Sequence, residues 1–264
     1  MQSTNFTIKD YTFVTELPGN KVSQEQLQRM WHRYHFASGY CKKGDVLEVA
    51  CGAGTGLGYL AKYSNRVVGV DIDISNLKFG MQHYAGRNNI ELKQMDAHRL
   101  LFSDKAFDLL ILYEAIYYLA DPDKFIEEAH RTAKDNGTLI ICAVNKNWAD
   151  FNPSEHSIAY YSVPELYAML IKKFNKVKIY GAFSTKPHSL QEKMISLIKR
   201  TAVSMHLIPK TMKAKAFLKR IFFGKLIDLP CEITDFDCQY VEPARLNTDS
   251  INSEYKVIYA VASK

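Results

Sequence analysis

The sequence predicts an α/β fold with helices on both faces of its sheet, and three observations carry that prediction. Residues 45–60, DVLEVACGAGTGLGYL, combine a buried apolar run with a glycine-rich turn and the start of a helix. Val46, Leu47 and Val49 suit a parallel strand covered on both sides, while Gly52, Gly54 and Gly56 let a ligand approach the backbone closely. Apolar strand-like runs then recur at 66–73, 90–94, 109–113, 138–144 and 176–183, separated by helical stretches, and a last run lies at 255–262.

The glycine spacing separates kinds of nucleotide-type cofactor. A dinucleotide fingerprint, G-x-G-x-x-G, needs glycine at position 57 counted from Gly52, or at 59 counted from Gly54; Leu57 and Tyr59 stand there. Neither register fits a dinucleotide fold well. Hydrophobic content of 47% and charged content of 23% are those of an ordinary globule and argue against disorder. No run approaches the roughly 18 apolar residues that span a bilayer, and the first twenty residues lack a basic start followed by an apolar core, so a cytoplasmic protein is expected. Five cysteines, Cys41, Cys51, Cys142, Cys231 and Cys238, form no C-x-x-C pair, so reduced thiols and no zinc site are expected.

In chain order, residues 22–40 open with Ser23 and Gln26 as a capping box, followed by apolar or aromatic residues at 27, 30, 31, 34 and 37, the pattern of a helix ahead of the first sheet strand. The helix after the glycine turn spans about 56–63. In the strand at 66–73, Asp71 sits seventeen residues beyond Gly54, the offset at which an α/β nucleotide fold places the carboxylate that accepts from both ribose hydroxyls. Asp73 competes with it; Asp71 is preferred because three apolar or glycine residues lead directly into it. A helix at 75–84 leads to the strand at 90–94. After the strand at 109–113, Asp121 and Pro122 open a helix over 123–133, and Gly137 ends the connection to the next strand. The following loop, NKNWADFNPSEHSIAYYSVPEL, is rich in groups able to handle a substrate: Asn145, Trp148, Asp150, Asn152, His156, Tyr160 and Tyr161. Ser162 caps the next helix, with Pro164 and Glu165 in its first turn.

Residues 48–54, EVACGAG, resemble motif I of the class I S-adenosylmethionine-dependent methyltransferases, in which an acidic residue and one apolar residue precede G-x-G-x-G. Ala50 stands where the family's first glycine usually is, so its backbone is expected either to stay at negative φ or to open the turn slightly. Asp96 matches the acidic residue that accepts from the adenine amino group. LLFSDKAFD at 100–108 resembles a further family segment, with Leu101 in place of the usual proline. Residues 33–37, RYHFA, resemble an R-Y-x-F-A helix that covers the cofactor in methyltransferases common among glycan-assembly enzymes; Arg33 and Tyr34 would then reach the methionine carboxylate.

The resemblance implies a Rossmann-like seven-stranded mixed sheet with helices on both faces, strand seven antiparallel between five and six, and a helical insertion between strands 6 and 7. It implies S-adenosylmethionine as cofactor and S-adenosylhomocysteine as product, with cofactor contacts from Arg33, Tyr34, Glu48, Ala50, Cys51, Gly52, Gly54, Asp71, Ile72, Asp96, Ala97 and Tyr113. A carboxylate at Glu48 has a physical use there, accepting from loop amides and offsetting the positive sulfonium and ammonium. The expected organisation is an N-terminal helical cap over the cofactor at 1–40, a core at 41–183 plus 255–264, and a basic insertion at 184–254. Neither the N-P-P-Y or D-P-P-Y sequence of base amino-methylases nor the Pro-Cys nucleophile of pyrimidine carbon methylation accompanies these motifs, and with no Asp-rich metal site evident no metal is expected.

Between 186 and 225 there are ten Lys or Arg residues against Glu192 alone, a local charge of +9 in a chain of net +6, so the remainder is mildly acidic. Two amphipathic helices are expected there, at 190–205 and 212–223. They read either as a packed cap with a solvated basic face or as a docking surface for an anionic membrane or a lipid-linked or phosphate-bearing substrate; nucleic acid has no accompanying reading module.

Methyl transfer from a sulfonium is an in-line displacement helped by a base near a hydroxyl acceptor. His156 is the favoured base, with Glu114 and His35 as alternatives, and Tyr117, Tyr160 and Asn145 are expected to shape the acceptor pocket. The leading expectation is O-methylation of a small molecule or a sugar or glycan hydroxyl. A membrane-associated lipid or quinone-type acceptor is the alternative. A non-catalytic scaffold is the third reading, against which the intact Glu48, Gly52, Gly54, Asp71 and Asp96 argue.

Overall fold

The computed structural model describes residues 15–154, 156–186, 226–236 and 238–264. The elements in chain order are β1 (Lys21–Val22), α1 (Gln24–Cys41), β2 (Asp45–Val49), α2 (Leu57–Ala61), β3 (Arg66–Asp71), α3 (Ile74–His83), β4 (Ile90–Gln94), β5 (Phe107–Tyr113), a single 3-10 turn (Ile116–Tyr118), α4 (Pro122–Thr132), β6 (Ala133–Val144), α5 (Val163–Leu170), β7 (Lys176–Ser184), β8 (Ile227–Asp228), β9 (Ala244–Arg245) and β10 (Tyr255–Ser263). The main sheet has the order β4-β3-β2-β5-β6-β10-β7-β9. β10 lies antiparallel between β6 and β7, with Tyr259 opposite both Cys142 and Tyr180, as expected for strand seven. The eighth strand, β9, is a two-residue addition from the insertion, antiparallel to β7 at the sheet edge.

Alternate residues of each strand serve two cores. Leu47, Val49, Leu110, Leu112 and Ile141 face Phe125, Ile126 and Ala129 of α4 and Leu166 of α5. Val46, Leu109, Ile111 and Ile140 face Met30, Trp31 and Ala37 of α1 together with Leu57 and Leu77. A strand buried on both faces reads as a continuous apolar run, which is why residues 109–113 carry no polar alternation. The strand order reverses between β2 and β5, so a crevice opens at their carboxyl ends, where α/β sheets bind ligands.

α1 begins with the expected capping box: Gln26 N donates to Ser23 Oγ at 3.2 Å, and Ser23 N donates to Gln26 Oε1 at 3.0 Å. Its two sides do different work. Met30, Arg33 and Tyr34 face the crevice, whereas Trp31 and His35, four residues apart, meet Tyr240 of the insertion.

The two helices expected in the insertion lie outside the described residues. Its described part, 226–254, forms no helix. β8 pairs antiparallel with β1, Leu229 and Ile233 are buried, and Tyr240 packs on α1. No helix among the described residues is long and apolar enough to cross a membrane.

His32 fastens this strap to the sheet. Its Nε2 lies 2.9 Å from the Val241 carbonyl, which can only accept, so Nε2 carries the hydrogen and Nδ1 accepts from the Tyr259 hydroxyl at 3.0 Å. Burial holds the imidazole below its ordinary value of 6.5, against the raising effect of the Val241 carbonyl. A histidine kept neutral in the fold but free to protonate once unfolded contributes stability that is complete above about pH 6.5 and is lost as pH falls below it. His32→Gln retains one donor and one acceptor without titrating. Urea unfolding should therefore show a shallower loss of stability from about pH 6.5 to 5 in the variant than in the parent; parallel profiles would remove His32 as a source of the pH dependence.

Candidate active site

The crevice at the carboxyl ends of β2, β3 and β5 is a cavity of about 430 Å³, within the range of small-molecule sites. Its floor is the glycine turn. Ala50, Gly52 and Gly54 all take positive φ, of 56°, 56° and 73°. Of the two alternatives for Ala50, negative φ is thus corrected: the residue accepts the left-handed conformation that glycine would adopt freely. Cys51, buried beside it, donates its N–H to the Val70 carbonyl at 3.0 Å and holds the turn against β3.

The third glycine of the motif has a steric reason. A Cβ at Gly56 would lie 1.8 Å from the Tyr34 ring, so the Tyr34 side chain occupies the space a residue 56 side chain would need. The Tyr34 hydroxyl donates to Glu48 Oε1 at 2.8 Å, and burial pushes the Glu48 carboxyl up to about 7, against the lowering effects of that hydroxyl and of Arg33. Glu48 Oε2 is buried without a hydrogen-bond partner, as is Arg33 Nε.

Asp71 and Asp73 divide their work. Asp71 lines the cavity, accepting from Gly52 N at 2.8 Å and Asp73 N at 2.9 Å, which leaves each oxygen capacity for one further donor. Asp73 instead caps α3 by accepting from Ser75 N. Further along the wall, Ile72 is 43% exposed, an unusual state for an apolar residue at a strand end and a ready surface for a flat ring. Asp96 and Ala97 continue that wall. His98 Nε2 accepts from Asp121 N at 3.2 Å, so its hydrogen sits on Nδ1 and is donated to Asp96 Oδ1 at 2.6 Å, orienting the carboxylate.

At the opposite end, the Tyr113 hydroxyl donates to the Arg33 carbonyl at 2.9 Å and fixes α1 against β5. Glu114 follows Tyr113 with φ of 52° and lines the cavity. Its Oε2 accepts from the Tyr117 hydroxyl at 2.9 Å and its Oε1 lies 3.6 Å from Arg33 Nη1, while burial raises its carboxyl against both of those partners. Arg33 is also paired with Glu16 at 3.2 Å. Tyr160 stands behind Tyr117, ring centroids 4.6 Å apart, rather than in the cavity wall.

Gly54, expected as a cofactor contact, is likewise outside the lining, and three further expected site residues lie elsewhere. His156 is exposed in the loop after β6 and does not line the cavity. His35 lies on the outer side of α1, where its Nδ1 meets the Tyr59 hydroxyl at 3.1 Å. Asn145 is fully buried, its amide donating to the carbonyls of Asn252 and Tyr255, both at 2.8 Å, and its oxygen accepting from Asn147 N. It is a clamp between loops. Conversely, Glu16, Arg29, Phe183 and Lys256 line the cavity without having been expected there. Arg29 alone left a trace in the sequence, one helical turn before Arg33.

The arrangement fits S-adenosylmethionine, which supplies an electrophilic methyl group when bound. Glu48, with its unpartnered oxygen, suits the cationic part, Asp71 the ribose diol, and Asp96 with Ile72 the adenine. Two outcomes follow. Relieving the left-handed cost of about 1–2 kcal/mol at Ala50, less an unfolded-state entropy of about 0.4–1 kcal/mol, should make Ala50→Gly more stable by about 0.5–1 kcal/mol in thermal or urea unfolding. Because a cation favours ionised Glu48, affinity for S-adenosylmethionine should rise about tenfold from pH 6 to pH 8. Calorimetric titration of Glu48→Gln should show that dependence flattened.

A family model described as a methyltransferase domain matches residues 47–141. The ubiquinone/menaquinone biosynthesis C-methyltransferase UbiE of Pseudoalteromonas translucida is 30% identical over 196 residues, covering 68% of this chain and 74% of that protein. The protein of the same name from Hahella chejuensis is 25% identical over 198 residues, covering 70% and 78%. Among solved structures, a SAM-dependent methyltransferase from Archaeoglobus fulgidus superposes with a TM-score of 0.55 at 18% identity, covering 90% of this chain and 94% of that one, a likeness of fold. These similarities show that the chain belongs to the class I S-adenosylmethionine-dependent methyltransferases.

Proposed function

We propose that this methyltransferase acts on a planar hydroxylated ring of the phenol or quinol class, with Glu114 as the general base. The observation that carries this reading is the composition of the acceptor end. Met30, Tyr117, Trp148 and Phe183 wall it with flat or flexible apolar surface, and Glu114 is the carboxylate at its floor. Such walls reward a ring by burial and stacking, whereas a sugar needs a dense set of hydrogen-bonding side chains. Asn145, the amide expected in the acceptor pocket, is committed to backbone carbonyls. Of Arg33 and Tyr34, on which the glycan resemblance rested, Tyr34 is bonded to Glu48 at the cofactor end and Arg33 is paired with Glu16 and Glu114. The UbiE relatives, named for quinone biosynthesis, support the same acceptor class.

A buried carboxyl raised from its ordinary value is a stronger base near neutral pH, and the Tyr117 hydroxyl fixes its direction. Taking the proton of a ring hydroxyl leaves a phenolate whose charge is shared between the oxygen and the neighbouring ring carbons. The same base therefore serves attack from oxygen or from carbon. The apolar walls exclude water and hold the ring in line with the methyl group.

The test is release of S-adenosylhomocysteine with a panel of hydroquinones and hydroxynaphthalenes set against simple glycosides. Turnover of the ring compounds and not of the glycosides is expected, and the reverse preference would refute the reading. Glu114→Gln should lower kcat by about 10²–10⁴-fold while S-adenosylhomocysteine binding is retained. In the parent, kcat/KM should fall as pH drops and Glu114 protonates; a variant retaining most of its turnover would show that the base lies elsewhere.

A further inference from the structure

His98 lines the cavity beside Asp96, yet both of its ring nitrogens are already committed within the protein. Nε2 lies 3.2 Å from Asp121 N, which can only donate, so Nε2 is the acceptor and Nδ1 carries the hydrogen. That hydrogen is donated to Asp96 Oδ1 at 2.6 Å, and the backbone N–H of His98 is donated to the same oxygen at 2.9 Å. The imidazole therefore makes its polar contribution to a ligand only through the carboxylate it holds.

The two bonds to Asp96 constrain different motions. The backbone bond closes an Asx turn over residues 96–98 and sets the direction of the side chain, but a carboxylate held by one donor can still rotate about its Cβ–Cγ bond. The ring bond brings a second donor to the same oxygen and removes that rotation. With both donors on Oδ1 and no hydrogen bond to Oδ2 among the described residues, Oδ2 is the oxygen left to accept from a ligand. The ring is held in turn by Asp121, the N-cap of α4, a helix whose Phe125, Ile126 and Ala129 are packed in the core. A carboxylate oriented in advance loses little freedom when it accepts a hydrogen bond, so more of that bond appears as affinity.

We propose that His98 is the positioning residue for recognition of the cofactor's base: by donating from Nδ1 it presents Asp96 Oδ2 to the exocyclic amino group of the purine, and it thereby sets the preference of the site for a base that bears that group. A bond from an amino hydrogen to a carboxylate is charge-assisted, whereas a purine lacking the amino group offers Oδ2 no donor. The inference rests on the placement of the adenine at Asp96 and does not depend on the class of methyl acceptor.

The experiment is calorimetric titration of the full chain with S-adenosylhomocysteine and with the analogue whose base is unsubstituted purine, identical except for the amino group. The parent should bind the amino-bearing ligand at least about tenfold more tightly, the scale of a charge-assisted hydrogen bond. In His98→Ala that ratio should fall to about threefold or less, while affinity for the purine analogue, which also reports folding, stays within about twofold. His98→Asn supplies an N–H donor with no tautomer to fix and should keep most of the preference. Asp96→Ala separates the inference from its premise. A parent without the preference, or a preference that persists in Asp96→Ala, would overturn the adenine placement and the inference with it. A preference lost in Asp96→Ala but intact in His98→Ala would overturn the inference alone. So would a loss in His98→Ala that weakens both ligands equally, or one that His98→Asn does not restore.

Discussion

The cofactor end of the molecule depends on one buried hydrogen bond, from the Tyr34 hydroxyl to Glu48. Glu48, one residue from the end of β2, has almost no exposure, so water cannot solvate its carboxyl, and the tyrosine hydroxyl does so instead. In a low dielectric such a bond is stronger than at the surface, and losing its partner leaves a buried polar group unmatched. The same tyrosine places its ring over Gly56. Three features far apart in the sequence, the aromatic residue on α1, the acid at the end of β2 and the third glycine of the turn, are therefore one mechanical unit. α1 precedes the main sheet but is part of the site: without it Glu48 loses its donor and the glycine turn loses its cover.

Charged groups line the cavity along its length. Glu48, Asp71 and Asp96 gather where a cationic cofactor binds, whereas Arg29 and Lys256 stand on the far wall. Arg33 lies between, bridged to Glu16 and Glu114, so its charge is locally balanced rather than added to either end.

Much of this was legible in the sequence because the signals were local. Parallel strands buried on both faces read as apolar runs, Ser23 and Gln26 announce the start of α1, and the order of acidic residues after the strands places Asp71 and Asp96. What was misread depended on direction or on distant partners. His35 follows Tyr34 by one residue, but each residue turns a helix by about 100°, which carries His35 from the cavity side to the side where Trp31 meets Tyr240. Asn145 has the chemistry of a substrate contact, and only the nearby carbonyls of Asn252 and Tyr255, more than a hundred residues later, show its amide to be occupied. Glu16 lies in a segment with no helical or strand period, and Lys256 in a strand whose neighbours are all apolar; nothing local marks either as part of the cavity. Such contacts are made by topology, which juxtaposes segments that the chain keeps apart.

The strained backbone shows why the site sits where it does. Ala50 and Glu114 each take positive φ immediately after neighbouring parallel strands, β2 and β5, the pair at which the strand order reverses. Chains leaving two adjacent strands in opposite directions need an abrupt turn at each end, and a left-handed residue supplies it within a single position. Such a conformation costs on the order of 1–3 kcal/mol for a residue with a side chain and persists only where its surroundings over-determine it. Around Ala50 that is done by Cys51 N bonded to Val70 and Gly52 N bonded to Asp71; around Glu114, by its own N–H bonded to Cys142 and by the Tyr117 hydroxyl. Glycine at 114 would relieve the turn but remove the carboxylate. The same left-handed turn that opens the crevice also carries the group best placed to act as base, so the strain at Glu114 is inseparable from the chemistry proposed for it.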